Sequence, residues 1–168
     1  MLVYFDEMTR LKTVRSGIIP YLLIKGELYF LLGIDKTSGE LSDLGGGRKE
    51  SETPISCSLR ELIEETKELI QPKDLKQIKV GVYDRQNSNC ILFCELINPE
   101  LYTSLENDFK TSTKRGAGYE EMSSLVWLKT EQMIFHIYSE HSNMWSRTKH
   151  TLGNSCNFDD KLLTVLSS

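Results

Sequence analysis

The chain has 168 residues, 39% of them hydrophobic and 26% charged, with a formal net charge of −4. That size and mixture suit one globular domain with its own core and argue against disorder. They give no general attraction to long nucleic acids, and the longest apolar stretch, Gly17 to Ile24, is interrupted by Pro20 and too short to span a bilayer. The opening MLVYFDEMTRLK has early acids and neither a basic start nor a long apolar run, so no secretory signal is expected. Val14 to Ile24 is apolar and rich in β-branched residues, Lys25-Gly26-Glu27 supplies a turn, and Leu28 to Ile34 resumes the pattern. A β-hairpin is predicted there. A polar loop at Asp35 to Gly39 is followed by a short strand at Leu41 to Leu44 and by Gly45-Gly46-Gly47, where a ligand can approach the backbone closely.

Thr53 before Pro54 forms a helix start, with Thr53 as N-cap and Pro54 as first helical residue. At ~100° per residue, Ile55, Leu59, Leu62 and Thr66 cluster within about 60° of arc. Glu61, Glu64, Glu65 and Glu68 take the other side, so one face is expected to pack and the other to be acidic. The helix should end before Pro72. Strands are predicted at Ile78 to Tyr83 and Cys90 to Ile97, joined by the polar turn Asp84 to Asn89. A long polar connection follows at about 98–119, with a short helix after Pro99. Connections of that length in compact domains are usually functional or mobile. Met122 to Leu128 reads as another strand, Thr130 to His150 as mostly helical, and Phe158 to Leu166 as a terminal helix. The expected organisation is a single domain over residues 1–168, without internal repeats.

Cys57, Cys90, Cys94 and Cys156 have no CxxC spacing or dense framework, so free thiols in a reducing compartment, the cytoplasm, are expected. Cys90 and Cys94 share a predicted strand, where four residues span roughly 13 Å, beyond disulfide reach. His136, His141 and His150 show no zinc-ligand spacing. Lys110, Lys114 and Arg115 lie in the long connection and are read as a solvated loop, with contact to phosphate or RNA as the alternative.

Chemistry concentrates in Arg60-Glu61-Leu62-Ile63-Glu64-Glu65. Glu61, Glu64 and Glu65 stand at i, i+3 and i+4, so a helix brings them to one side. Grouped carboxylates suit hard divalent cations such as Mg²⁺, which favour carboxylate, water and phosphate oxygens. Taken alone, such a face would be an ordinary solvated acidic surface.

The wider spacing changes that reading. Gly46, Glu52, Arg60, Glu61, Leu62, Glu64 and Glu65 fall in the register of the Nudix box, and the 23 residues from Gly46 to Glu68 resemble the Nudix hydrolase family. Lys67 and Glu68 depart from the pattern, standing where the family has a glycine and an aliphatic residue. The resemblance implies an α/β/α sandwich with a mixed sheet and an enzyme that cleaves phosphoanhydride bonds. Its substrate would be a nucleoside diphosphate linked to another group. It further implies Mg²⁺ or Mn²⁺ held by Glu61, Glu64 and Glu65 with the Gly45 carbonyl, and Arg60 as orienting partner of Glu52 or Glu64. A further acid would come from before the Trp127-Leu128 strand, Glu121 by preference and Glu120 as fallback. Glu61 or Glu121 would serve as general base. The partner expected is a small nucleotide derivative, with no membrane, and a homodimer is common in such proteins. Capped RNA, or a binding module without turnover, are the alternatives.

Overall fold

The computed structural model describes residues 1–168, apart from the side chain at position 155. In chain order the elements are β1 (Leu2–Tyr4), α1 (Phe5–Met8), β2 (Arg15–Ile24), β3 (Glu27–Asp35), β4 (Leu41–Ser42), β5 (Leu44–Gly47) and α2 (Pro54–Glu65). They continue with β6 (Val80–Asp84), β7 (Asn89–Glu95), α3 (Leu101–Thr111), β8 (Met122–Lys129), α4 (Thr130–Tyr138), α5 (Ser146–Gly153) and α6 (Asp160–Ser167). The eight strands make one mixed sheet in the order β1-β6-β7-β2-β3-β4, with β5 added to β2 and β8 to β3.

Strand periodicity explains the two faces. Along β2, β3 and β7, Ile19, Phe30, Leu32, Ile91 and Phe93 point into one core, while Ile18, Leu31, Leu92 and Cys94 point into the other. Ile137, Leu152 and Leu162 from the C-terminal helices, with Phe158 from the connection before α6, cover the first core. Leu62 of α2 and Leu105 and Phe109 of α3 cover the second. The result is a helix–sheet–helix sandwich, as expected from the sequence.

The hairpin between β2 and β3 closes on Lys25 and Gly26, both at positive φ (52° and 80°), the geometry of tight two-residue hairpin turns. β2 is the hinge of the sheet. One edge runs parallel to β7 from Arg15 to Tyr21, while the other pairs first with β5 (Arg15 to Ile18) and then with β3 (Tyr21 to Ile24). This change of neighbour lets the glycine strand β5 lie under α2 instead of continuing the β3 side.

The structure extends one expectation, corrects another and adds two elements. The connection at 98–119 contains an eleven-residue helix, α3, because Leu101, Leu105 and Phe109 form an i, i+4, i+8 stripe that docks on the second core. The region from Thr130 to His150 breaks at residues 139–145, where Met144 bridges to Leu41 and Trp145 N–H donates to the Leu41 carbonyl (2.7 Å). At the N-terminus, β1 and α1 were not legible; β1 pairs with β6 as an edge strand.

Candidate active site

The start of α2 forms as its sequence dictates. The Thr53 hydroxyl accepts from Ser56 N–H (3.2 Å) and the Ser56 hydroxyl accepts from Thr53 N–H (2.9 Å), a reciprocal cap ahead of Pro54. The helix then buries Cys57, Ser58, Glu61, Leu62 and Glu65. The acidic side is thus packed as well as the apolar one. Glu61 and Glu65 are only 6% and 2% exposed, less than the flanking Ile55 and Leu59, which are half-buried.

The glycine strand is the physical reason. A Cβ on Gly46 would overlap the Glu61 carboxylate, so a glycine there leaves room for an acid to lie flat against the sheet. Gly45 N–H donates to Glu65 Oε1 (2.7 Å), and the Ser58 hydroxyl donates to the Gly17 carbonyl (3.0 Å). Gly45 therefore offers the cluster its N–H.

Glu121 arrives from the loop before β8, its backbone carbonyl accepting from Lys36 N–H at 2.8 Å. Glu61, Glu65 and Glu121 each present a carboxylate oxygen, and these oxygens lie within 4.8 Å of one another. Among the described residues no other group of three His, Cys, Asp or Glu side chains converges in this way. Burial raises the Glu65 carboxyl well above the usual range, and the neighbouring charges of Glu61 and Glu121 push it further. Glu61 is raised too, chiefly by burial, with Arg60 opposing. An all-oxygen set of crowded carboxylates fits a hard divalent cation, whose charge would relieve the repulsion.

Glu64 and Glu120 stand apart. Glu64 is half-buried beside Gly118, where φ is +87° and a Cβ would lie only 2.7 Å from Glu64 Oε2. Glu120 lies 3.9 Å from Arg115 and accepts from Gly116 N–H (3.1 Å). Of the two acids weighed in the sequence, Glu121 is therefore the one in the cluster. Arg60 works as a brace: its guanidinium grips both oxygens of Glu52 (2.8 and 3.0 Å), donates to Glu61 (2.9 Å), and lies 3.8 Å from Glu64. The hydrogen bonds from Arg60 hold the Glu52 carboxyl below its usual range.

At the helix exit, Lys67 and Glu68 adopt positive φ (53° and 65°), a conformation that favours glycine. Both departures from the box pattern reach the long connection. Lys67 Nζ sits 4.3 Å from the Phe109 ring centroid, and Glu68 pairs with Lys114 at 2.6 Å.

A cavity of ≈ 440 Å³ opens beside the cluster, lined by Glu65, Glu121, the glycine strand, Arg15, Trp145 and Arg147. Sequence reasoning missed the last three. Arg15 is buried and paired with Asp43 (2.9 Å) and Asn89 (3.0 Å), and Thr148 donates to the same Asp43 (2.6 Å). An arginine opening an otherwise apolar strand was the available signal for this network; nothing local marked Trp145 or Arg147. The histidines lie elsewhere: His150 contacts the buried Asp84 (2.9 Å) and His136 contacts Ser142 (3.2 Å). All four cysteines are free, and burial pushes the Cys90 and Cys94 thiols up to about 12.

No family model matches this sequence, and no curated protein is similar to it in sequence. Solved structures are similar in fold. A C. elegans Ap4A hydrolase in a binary complex gives a TM-score of 0.55 at 16% identity, over 88% of this chain and 97% of that one. A mutT/nudix family protein from Listeria innocua gives 0.54 at 14% identity, over 94% and 99%. A Nudix hydrolase from M. smegmatis gives 0.54 at 11% identity, over 87% and 85%. The chain has the Nudix fold, in agreement with the resemblance carried by its box. No helix among the described residues is long and apolar enough to cross a membrane.

Proposed function

We propose that this chain is a divalent-metal-dependent Nudix hydrolase, cleaving a phosphoanhydride bond in a nucleoside diphosphate linked to another group. The observation that carries this is the convergence of Glu61, Glu65 and Glu121, from a helix and a distant loop, with Glu65 and Glu121 in the wall of a cavity of a size suited to such a ligand. Mg²⁺ or Mn²⁺ held by these three carboxylates would neutralise phosphate charge and acidify a bound water.

The remaining chemistry belongs to side chains. Arg60 fixes Glu61 from one side and Glu52 from the other, so the acid is held in place before substrate arrives. Gly45 N–H does the same for Glu65. Of the two acids named as general base, Glu61 is committed to Arg60, whereas Glu121 is exposed and, among the described residues, receives no hydrogen bond from a basic group. Glu121 is therefore assigned the proton of the attacking water as its oxygen bonds to phosphorus and the bridging P–O bond breaks.

Two alternatives lose support. Lys114, one of the cations suited to RNA, is engaged by Glu68, and Arg115 lies beside Glu120. Lys67, the mark in favour of a binding-only module, alters the helix exit and leaves the three acids together. The free thiols suit the cytoplasm. The test is hydrolysis of a panel of nucleoside triphosphates, dinucleoside polyphosphates, ADP-ribose and capped RNA in Mg²⁺ and in Mn²⁺. Glu61→Gln and Glu65→Gln should each abolish turnover of whatever is cleaved. Unchanged turnover in both would remove the site.

A further inference from the structure

The cavity is also lined by cationic side chains that the hydrolytic site does not use. Two arginines line it, and their situations differ. Arg15 is 4% exposed, and its Nη1 already holds both the Asp43 carboxylate and Asn89. Arg147 is half-buried and, among the described residues, makes no ion pair and no side-chain hydrogen bond, although Asp35, Glu40, Glu65 and Glu121 line the same cavity. Its guanidinium carbon lies instead 5.5 Å from the Trp145 ring centroid, with Arg15 4.8 Å from the same ring. Trp145 is itself fixed, through its backbone bond to Leu41 and the bridge between Met144 and Leu41.

A stacked guanidinium keeps its N–H donors in a rigid plane and is weakly hydrated, which suits it to planar, bidentate contact with phosphate oxygens. An arginine pre-oriented in this way, without a carboxylate partner, lines the same cavity as an acid cluster suited to a cation. Together they match a substrate with more phosphate charge than the cation neutralises. Building on the hydrolase proposed above, the geometry points to Arg147, presented by Trp145, as the subsite for a further phosphoryl group. The group linked to the nucleoside diphosphate is then itself a phosphoryl or polyphosphoryl group: the substrate class is nucleoside triphosphates and longer polyphosphates, in preference to nucleoside diphosphates carrying an uncharged sugar.

Arg147→Ala and Arg147→Lys test this against wild type, using a nucleoside triphosphate and the nucleoside diphosphate-hexose of the same base. In Arg147→Ala the KM for the triphosphate should rise about tenfold or more with kcat unchanged, as expected for loss of a charged hydrogen bond. The KM for the diphosphate-hexose should stay the same, and lysine should restore only part of the loss. A second readout needs no turnover. Trp127 and Trp145 are the only tryptophans, and Trp127 Nε1 makes no hydrogen bond, so Trp127→Phe leaves Trp145 as reporter without orphaning a partner. Metal-free titration with inorganic tripolyphosphate should change its emission, and Arg147→Ala should remove the change. An equal KM shift for both substrates, no shift for either, or emission indifferent to Arg147 overturns the subsite. Absence of hydrolysis with the emission change intact would count against the catalytic proposal and leave this one standing.

Discussion

The two ends of the box helix solve different problems. At its entry, Gly46, Glu52, Arg60 and Glu61 follow the family spacing and brace one another: a missing Cβ makes room for an acid, and one guanidinium holds two carboxylates. At its exit, Lys67 and Glu68 break the spacing, take a left-handed backbone, and are held by Phe109 and Lys114 from the long connection. The entry is thus fixed by side-chain chemistry, and substitution there should disturb the site directly. The exit is a backbone requirement that tertiary contacts satisfy, so substitution there should change stability slightly and leave the acids in place.

The largest expected effect is chemical. Glu65→Gln should lower kcat by at least about a hundredfold, the scale of losing a group that supports charge in the transition state, with little change in thermal stability. Steady-state rates beside melting curves check both parts; a parallel loss of fold would blur the difference between the ends. Next come two substitutions at the entry. Arg60→Ala should destabilise by about 1–3 kcal/mol, since it leaves the buried Glu61 without its Arg60 donor and Glu52 with Lys49 N–H alone. Gly46→Ala should act on a similar scale, about 1–3 kcal/mol, by forcing Glu61 off the sheet. Urea unfolding measures each, and an effect smaller than that of any exit substitution would reverse the comparison.

The acids also set a pH dependence. Glu61 and Glu65 have folded values raised above their unfolded ones, chiefly by burial, so the protonated form is favoured by folding. Their contribution is fully present below the ordinary carboxylate range and is lost as pH rises through the raised folded values. Glu52 works in the other direction: its depressed value adds stability above that range, lost as pH falls through its folded value. In EDTA the melting temperature should therefore decline from mildly acidic pH toward neutrality, and Mg²⁺ or Mn²⁺ should restore it most at the higher pH. A melting temperature that climbs over that interval in EDTA would show that these acids ionise freely. The smallest effect belongs to the exit. Lys67→Gly relieves a left-handed side chain but removes its contact with Phe109, for a net gain of about 0.5–1 kcal/mol with unchanged kcat.

The same division shows what the sequence made legible. The β2–β3 hairpin and the start of α2 rest on local signals, namely alternation about Lys25-Gly26 and the Thr53-Pro54 pair. Both appear where local chemistry places them. The box acids could be located because helical spacing is local, but not their burial: periodicity sends charge outward, and only the glycine strand across from them makes an inward position possible. Glu64 illustrates this, since i, i+3 spacing puts it near Glu61 while Gly118 of a distant loop decides where it lies. Leu101, Leu105 and Phe109 were a readable stripe, obscured by the polar residues between them. Arg15, Trp145 and Arg147 meet through pairings between segments far apart in the chain, which no window of sequence contains.

The central claim is that Glu61, Glu65 and Glu121 act together on one cation. Titration of Mn²⁺ into the wild type and the Glu61→Gln, Glu65→Gln and Glu121→Gln variants, followed by calorimetry in two buffers of different protonation enthalpy, tests it most directly. The wild type should bind Mn²⁺ with proton release, and each variant should bind it at least about tenfold more weakly. Equal Mn²⁺ affinity in all four proteins would contradict it.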